Sequence, residues 1–122
     1  MTWFFQQSTG ILTKDGRFIY EGYAGKANGK NNPDMENIRN FGPIPKGRYT
    51  IIGHPFHHPH TGSYSLRLQP DEHNRMYGRA GFLIYGDSKR HLGEASNGCI
   101  IMPLSVRQKI WNSMDRYLEV IR

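Results

Sequence analysis

At 122 residues the chain has the length of one domain and not of two, so residues 1–122 read as a single unit able to bury its own core. Its 37% hydrophobic and 12% aromatic content, with 14 glycines, excludes a disordered tail and suits a turn-rich, mainly β fold. The formal charge of +6 fits a polyanionic partner without choosing among nucleic acid, an anionic lipid surface and an acidic cell-wall polymer, and no apolar run approaches the roughly 20 residues of a membrane span.

Trp3 to Gln7, Ile11 to Thr13 and Arg17 to Tyr20 read as short strands, the last two joined by a turn at Asp15-Gly16, which predicts a β-meander. Residues 24–40 are dense in Gly, Asn and Lys with no apolar period. They predict a long surface loop of the kind that borders binding sites. Gly42-Pro43-Ile44-Pro45-Lys46-Gly47 is a rigid turn feeding a strand over Arg48 to Gly53, and a second loop covers His54 to Ser63. Strands follow at Tyr64 to Leu68 and at Gly81 to Tyr85, the latter nearly all apolar and therefore central. Ser105 with Gln108 makes a capping-box pattern, and Val106, Ile110, Met114, Leu118 and Ile121 then fall on one helical face. That predicts a single amphipathic helix closing the domain.

Cys99 is the one cysteine and has no partner for an internal disulfide. In Ser96-Asn97-Gly98-Cys99-Ile100, glycine beside cysteine lets the backbone turn tightly and bring amide N–H groups close to the sulfur. Such amides hold an oxyanion when a thiolate attacks a carbonyl. The same tetrapeptide also describes a buried cysteine heading the apolar run Ile100-Ile101-Met102. The cluster His54-Pro55-Phe56-His57-His58-Pro59-His60 lacks the His-Glu-x-x-His spacing of a metal helix, and its prolines break any regular face. No metal and no cofactor are expected; the cluster reads as a mobile loop over a substrate cleft, with imidazoles and Phe56 touching sugar or peptide.

Ser-Asn-Gly-Cys-Ile after a strand ending in Gly-Asp resembles the Ser/Thr-x-Gly-Cys motif of L,D-transpeptidases, the YkuD-like catalytic domains. Trp3, Gln7-Ser8-Thr9-Gly10, Gly22-Tyr23-Ala24-Gly25, Asn31-Asn32-Pro33, the Gly42 to Tyr49 segment, Gly78-Arg79 and Phe82-Leu83-Ile84 extend the likeness over nearly the whole chain. Together they resemble the small branch of that superfamily found as antibacterial effectors of type VI secretion. The resemblance implies a YkuD-like β-sandwich or barrel with long loops and one C-terminal helix. It implies that Cys99 attacks the tetrapeptide stem of peptidoglycan to form a thioester, which water resolves as an L,D-carboxypeptidase and an amine resolves as an L,D-transpeptidase. It also implies export without a cleavable signal peptide, in keeping with an N-terminus that lacks a basic region and a long apolar run, and action in the target-cell periplasm. An immunity protein and a secretion-system carrier are the further partners it implies.

In that family a histidine before Gly-Asp activates the cysteine, and here the position is Tyr85. A phenol with a pKa of about 10 is a poor proton acceptor at neutral pH, where imidazole near ~6.5 is well matched. Three readings stay open: Tyr85 is a loss-of-base change, His91 on the following loop replaces the base, or the scaffold serves binding or another reaction. Gly86, Asp87, Ser96, Asn97 and Gly98 are the candidate substrate and oxyanion positions. Asp87 either orients a base or caps a turn, Ser96 either bonds the thiolate or pins the loop, and Arg79 and Arg107 either grip carboxylates or solvate the surface. A non-catalytic peptidoglycan-binding domain is the nearest alternative. A nucleic-acid module, suggested by charge and by Tyr20, Tyr23 and Tyr77, is less favoured because no recognition helix, zinc finger or RNP-like strand is present.

Overall fold

Short runs of alternating large apolar side chains open and close the chain, and they pair with each other. In the computed structural model, which describes residues 2–122, β1 (Trp3–Gln6), β2 (Ile11–Lys14), β3 (Arg17–Glu21) and β4 (Tyr23–Ala24) come first. Two 3-10 turns, Ala27–Gly29 and Pro33–Met35, lead to β5 (Gly47–His58), β6 (Gly62–Pro70), β7 (Leu83–Tyr85) and β8 (Ile100–Ile101). Helix α1 (Leu104–Asn112) and β9 (Tyr117–Ile121) complete the chain. The strands form one mixed sheet in the order β3-β2-β1-β9-β5-β6-β7-β8-β4. The mainly β expectation with a single helix near the C-terminus is met, but the sandwich or barrel is not. The sheet does not close: β3 and β4 are its two edges.

The opening meander matches its sequence pattern closely, with Asp15 and Gly16 both at positive φ in the β2–β3 turn. Two other expectations need correction. The first is the helix over residues 105–121. It ends at Asn112, where Met114 takes φ 66° and the Ser113 hydroxyl bonds the Ile110 carbonyl and the Asp115 amide. Beyond this turn the chain is extended, and β9 lies parallel to β1 and antiparallel to β5. Leu118 suits a helical face as well as an alternating strand, and β9 buries Leu118 and Val120 while exposing Tyr117 and Ile121. The Ser105 capping box is absent too: Pro103 occupies the N-cap position, and no side chain caps the helix.

The second correction concerns residues 54–63. β5 continues to His58 and β6 begins at Gly62, so the histidines lie on a long hairpin and not in an irregular loop. The β5–β6 register shifts between Ile52 and Phe56 and again between Phe56 and His58. Such bulges bend a strand and let Pro55 sit where no ladder bond is needed. The core beneath the sheet centre joins Trp3, Phe5, Leu12, Tyr49, Leu118 and Val120.

A buried Leu118 and a Met114 that is 78% exposed separate the strand from the helix that the sequence suggested. Leu118→Ala is expected to cost about 2–5 kcal/mol in urea unfolding, as core leucine truncations do. Met114→Ala is expected to stay within about 0.5 kcal/mol of the parent.

Candidate active site

β7 and β8 are parallel, with Ile84 opposite Ile100 and Tyr85 opposite Ile101. One residue back along that register Cys99 falls beside Leu83, whose amide donates to the Cys99 Sγ at 3.3 Å. Parallel neighbours need a connection that travels back along the strands; residues 86–99 provide it. The connection helps wall an open cleft of about 1240 Å³ into which Cys99, Tyr85, Gly86, Asp87, His91 and Asn97 all look. Arg39 from the long 24–40 segment and His57, His58 and His60 from the bent hairpin line the same cleft.

Ser96 and Gly98 lie behind this surface. Ser96 is fully buried, and its Oγ accepts the amides of Gly98 and Gly25, each at 2.9 Å, while donating to the Cys99 carbonyl at 2.6 Å. The hydroxyl is thus spent on turning the chain into Cys99, and the Gly98 amide is spent with it. Gly98 has φ +135°, and a Cβ there would stand 2.4 Å from Arg79 Nη2, so the position demands glycine. Asn97 is exposed on the cleft side, while its backbone carbonyl accepts from Arg79 at 3.3 Å.

Tyr85 is buried beside Cys99, and its hydroxyl donates to the Ala95 carbonyl at 2.8 Å. Burial, with a smaller contribution from charge on Cys99, pushes its pKa well above that of a free phenol. At neutral pH it is a hydrogen-bond donor and not a proton acceptor. Asp87 accepts the Tyr23 hydroxyl at 2.5 Å and the amides of Ser88 at 2.8 Å and Gly93 at 3.0 Å, so its carboxylate holds the start of the connection in shape. Tyr23, which looked like an exposed aromatic in sequence, is buried by this contact and by accepting the Ala95 amide at 3.0 Å. His91 is exposed, with its amide on Ser88 Oγ at 3.0 Å and Nδ1 3.6 Å from a Glu94 carboxylate oxygen. Among the described residues no hydrogen bond links it to Cys99.

The half-buried Cys99 thiol feels opposed influences. Burial pushes its pKa up, the Leu83 amide and the Arg79 charge pull it down, and burial prevails. Arg79 and Arg107, for which the sequence left open gripping carboxylates or solvating the surface, are buried and bonded to backbone carbonyls. Arg79 donates through Nη1 to the carbonyls of Glu36 at 2.5 Å and Pro43 at 2.9 Å, and through Nη2 to those of Gly42 at 2.9 Å and Asn97 at 3.3 Å. Arg107 bonds the carbonyls of Met102, Ser63 and Tyr64 at 3.0, 2.9 and 3.1 Å. The inward course of Arg79 was missed in the sequence, although its flanking Gly78 and Gly81, both at positive φ, mark a chain that turns sharply there. Among the described residues no three His, Cys, Asp or Glu side chains gather as a metal site. His58 Nδ1 instead accepts the His60 amide at 3.0 Å, tying off the hairpin tip.

A family model described as the Tlde1 domain matches residues 19–120, which include the end of β3, all of β4 to β8, α1, the whole cleft and most of β9. The chain belongs to the Tlde1 domain family. This is a family of type VI secretion effectors, so membership suggests a secreted toxin that acts on other cells. Neither the curated proteins nor the solved structures gave a match. No helix among the described residues of this Tlde1 domain is long and apolar enough to cross a membrane.

The loop that Arg79 anchors in the Tlde1 domain has its own charged tie. Glu36 accepts the Lys46 amide at 2.9 Å and Gln7 Nε2 at 3.0 Å, with the Tyr77 hydroxyl at 3.2 Å. Burial raises its pKa, but these bonds and the Lys46 charge outweigh burial and leave it below the ordinary glutamate value. A carboxylate depressed on folding contributes stability above its unfolded pKa and loses it as pH falls through the folded one. Urea midpoints are therefore expected to fall as pH drops from about 5 towards 3, and Glu36→Gln is expected to be less stable at pH 7 and flatter across that window.

Proposed function

We propose that this domain is a cysteine L,D-carboxypeptidase or L,D-transpeptidase acting on the tetrapeptide stems of peptidoglycan in the periplasm of a target cell, with Cys99 as nucleophile. One observation carries the reading: a half-buried thiol lies in a large open cleft, at the end of a Ser-Asn-Gly-Cys turn, with the Leu83 amide on its sulfur. The Cys99 thiolate adds to the carbonyl ahead of the terminal stem residue. A C–S bond forms, the C–N bond breaks, and the departing amine takes a proton. Water then attacks the thioester and releases a shortened stem, or an amine of another stem attacks and forms a new amide; both regenerate the sulfur. Arg39 and the hairpin histidines at the cleft suit the carboxylates of such a stem, and the net charge of +6 suits an anionic wall.

Tyr85 slows this chemistry, because a neutral phenol committed to the Ala95 carbonyl does not take the thiol proton. His91 is the imidazole on the connecting loop that assumes the proton transfer once substrate orders the cleft. Tyr85 also favours a second reading, a peptidoglycan-binding domain without turnover on the same scaffold.

Mass spectrometry of muropeptides incubated with the parent, Cys99→Ala, His91→Ala and Tyr85→His separates these. The enzyme reading expects slow trimming or exchange of the terminal stem residue by the parent, none by Cys99→Ala, and less by His91→Ala. Tyr85→His is expected to accelerate turnover by about 10²-fold or more, the range that a positioned acid-base group supplies. Turnover by no variant, with sacculi still retained by folded protein, supports the binding reading; absence of both turnover and retention removes peptidoglycan as the ligand.

A further inference from the structure

Arg79 is a buried cation whose four hydrogen bonds all go to backbone carbonyls. Among the described residues no carboxylate is hydrogen-bonded to it; Glu36 contributes its backbone oxygen to Arg79, commits its carboxylate to Gln7, Lys46 and Tyr77, and acts on the guanidinium only through space. Burying a guanidinium costs free energy that carbonyl dipoles offset only in part, since neutral acceptors leave the full positive charge unbalanced. The side chain is also fixed in place. Its guanidinium lies 5.2 Å from the centre of the Phe82 ring, closes over Gly98 and borders the cleft that Cys99 borders. It thereby ties the Gly42-Pro43 turn to Asn97, two residues before the sulfur.

We propose that Arg79 is a positioning residue for Cys99: its buried charge, which no carboxylate oxygen contacts directly, is the counter-charge against which the Cys99 thiolate forms, while its bond to the Asn97 carbonyl sets the turn that presents the sulfur. Without substrate the proton leaves to water in the cleft, and His91 takes it once substrate orders the cleft; no bond to Arg79 is made or broken. The other side chains facing the sulfur do not supply this charge. Tyr85 from β7 is a neutral phenol, and Leu83 offers only its amide. Arg39 is exposed and turned to the Gly78 carbonyl at 3.3 Å, and His57, His58 and His60 sit on the hairpin across from the sheet strand that holds Leu83. On the connecting loop Asp87 is bonded to Tyr23, and His91 and Glu94 lie near each other and are exposed. In a domain whose expected histidine is a tyrosine, a fixed cation favours the thiolate form of the half-buried thiol.

The role of Arg79 rests on Cys99 being the nucleophile of the proposed reaction, yet it is read without turnover. The test is the pH dependence of Cys99 alkylation by iodoacetamide in the parent, Arg79→Gln, Arg79→Lys and Arg107→Gln, each first checked for native circular dichroism. Arg79→Gln is expected to move the midpoint up by about one pH unit, a roughly tenfold slower reaction at pH 7. Arg79→Lys is expected to return most of that shift. Arg107→Gln removes another buried arginine on carbonyls and is expected to leave the midpoint in place. An unchanged midpoint in folded Arg79→Gln overturns the proposal, as does an equal shift in Arg107→Gln. If Arg79→Gln does not fold, the parent itself is tested in about 0.5 M salt, which screens distant surface charges. There the iodoacetate to iodoacetamide rate ratio is expected to exceed that of N-acetylcysteinamide; a ratio no higher overturns the proposal. Muropeptide inactivity of every variant alongside the Arg79 shift would sink the reading of peptidoglycan as a substrate and leave the effect of Arg79 on the Cys99 thiol standing.

Discussion

The parallel pairing of β7 with β8 is the constraint from which the site follows. Two three-residue and two-residue strands contribute little by themselves, but both are buried on each face, and their side chains belong to both apolar clusters. A slip of one residue would carry Ile84 and Ile100 out of the main core and turn Leu83 and Tyr85 into it, so the register is strongly specified. With the register held, Cys99 has no choice but to stand at Leu83, within reach of its amide. The connection 86–99 has no choice but to run back along the sheet.

A small sheet with no disulfide must still hold long irregular segments in one shape, and two buried arginines do much of this. Arg79 gathers carbonyls from the 36–43 segment and from Asn97, while Arg107 gathers carbonyls from Met102 and from the base of the hairpin at Ser63 and Tyr64. A planar fork with several donors suits this task better than an ammonium, because it satisfies separated acceptors from one rigid group. Among the described residues no buried side-chain nitrogen or oxygen is left without a partner. Arg79 thus ties the 36–43 segment to the turn that leads into Cys99.

Tyr85 shows how burial and chemistry combine at one position. On β7 it packs with Tyr23, Leu83 and Ile101, where an aromatic ring fills space, and its hydroxyl finds the Ala95 carbonyl. The same environment that makes it a good core residue removes it as a proton acceptor.

Much was legible in the chain order. The meander over Trp3 to Tyr20, the rigid Gly42 to Gly47 turn, the buried strand before Gly86-Asp87 and the glycine-cysteine turn all follow from local chemistry: apolar alternation, turn residues and backbone freedom at one glycine. Those signals act over a few residues, so sequence displays them. The segments read wrongly were those whose local pattern permits two answers. Leu118 satisfies a helical face and an alternating strand alike, and only the vacancy between β1 and β5, closed by pairing on both sides, makes residues 117–121 a strand. Prolines and histidines at 54–60 read as a loop until bulges let the hairpin pass through them. The inward course of Arg79 is likewise invisible in its neighbours, since the carbonyls that bind it come from residues 36 to 43 and from Asn97. The sequence by itself determined the elements whose local pattern permits one answer and the glycine-cysteine turn that carries the single sulfhydryl. The tertiary structure alone decided which partners surround that sulfur, because they are brought to it by strand pairing and buried charge acting between segments far apart in the chain.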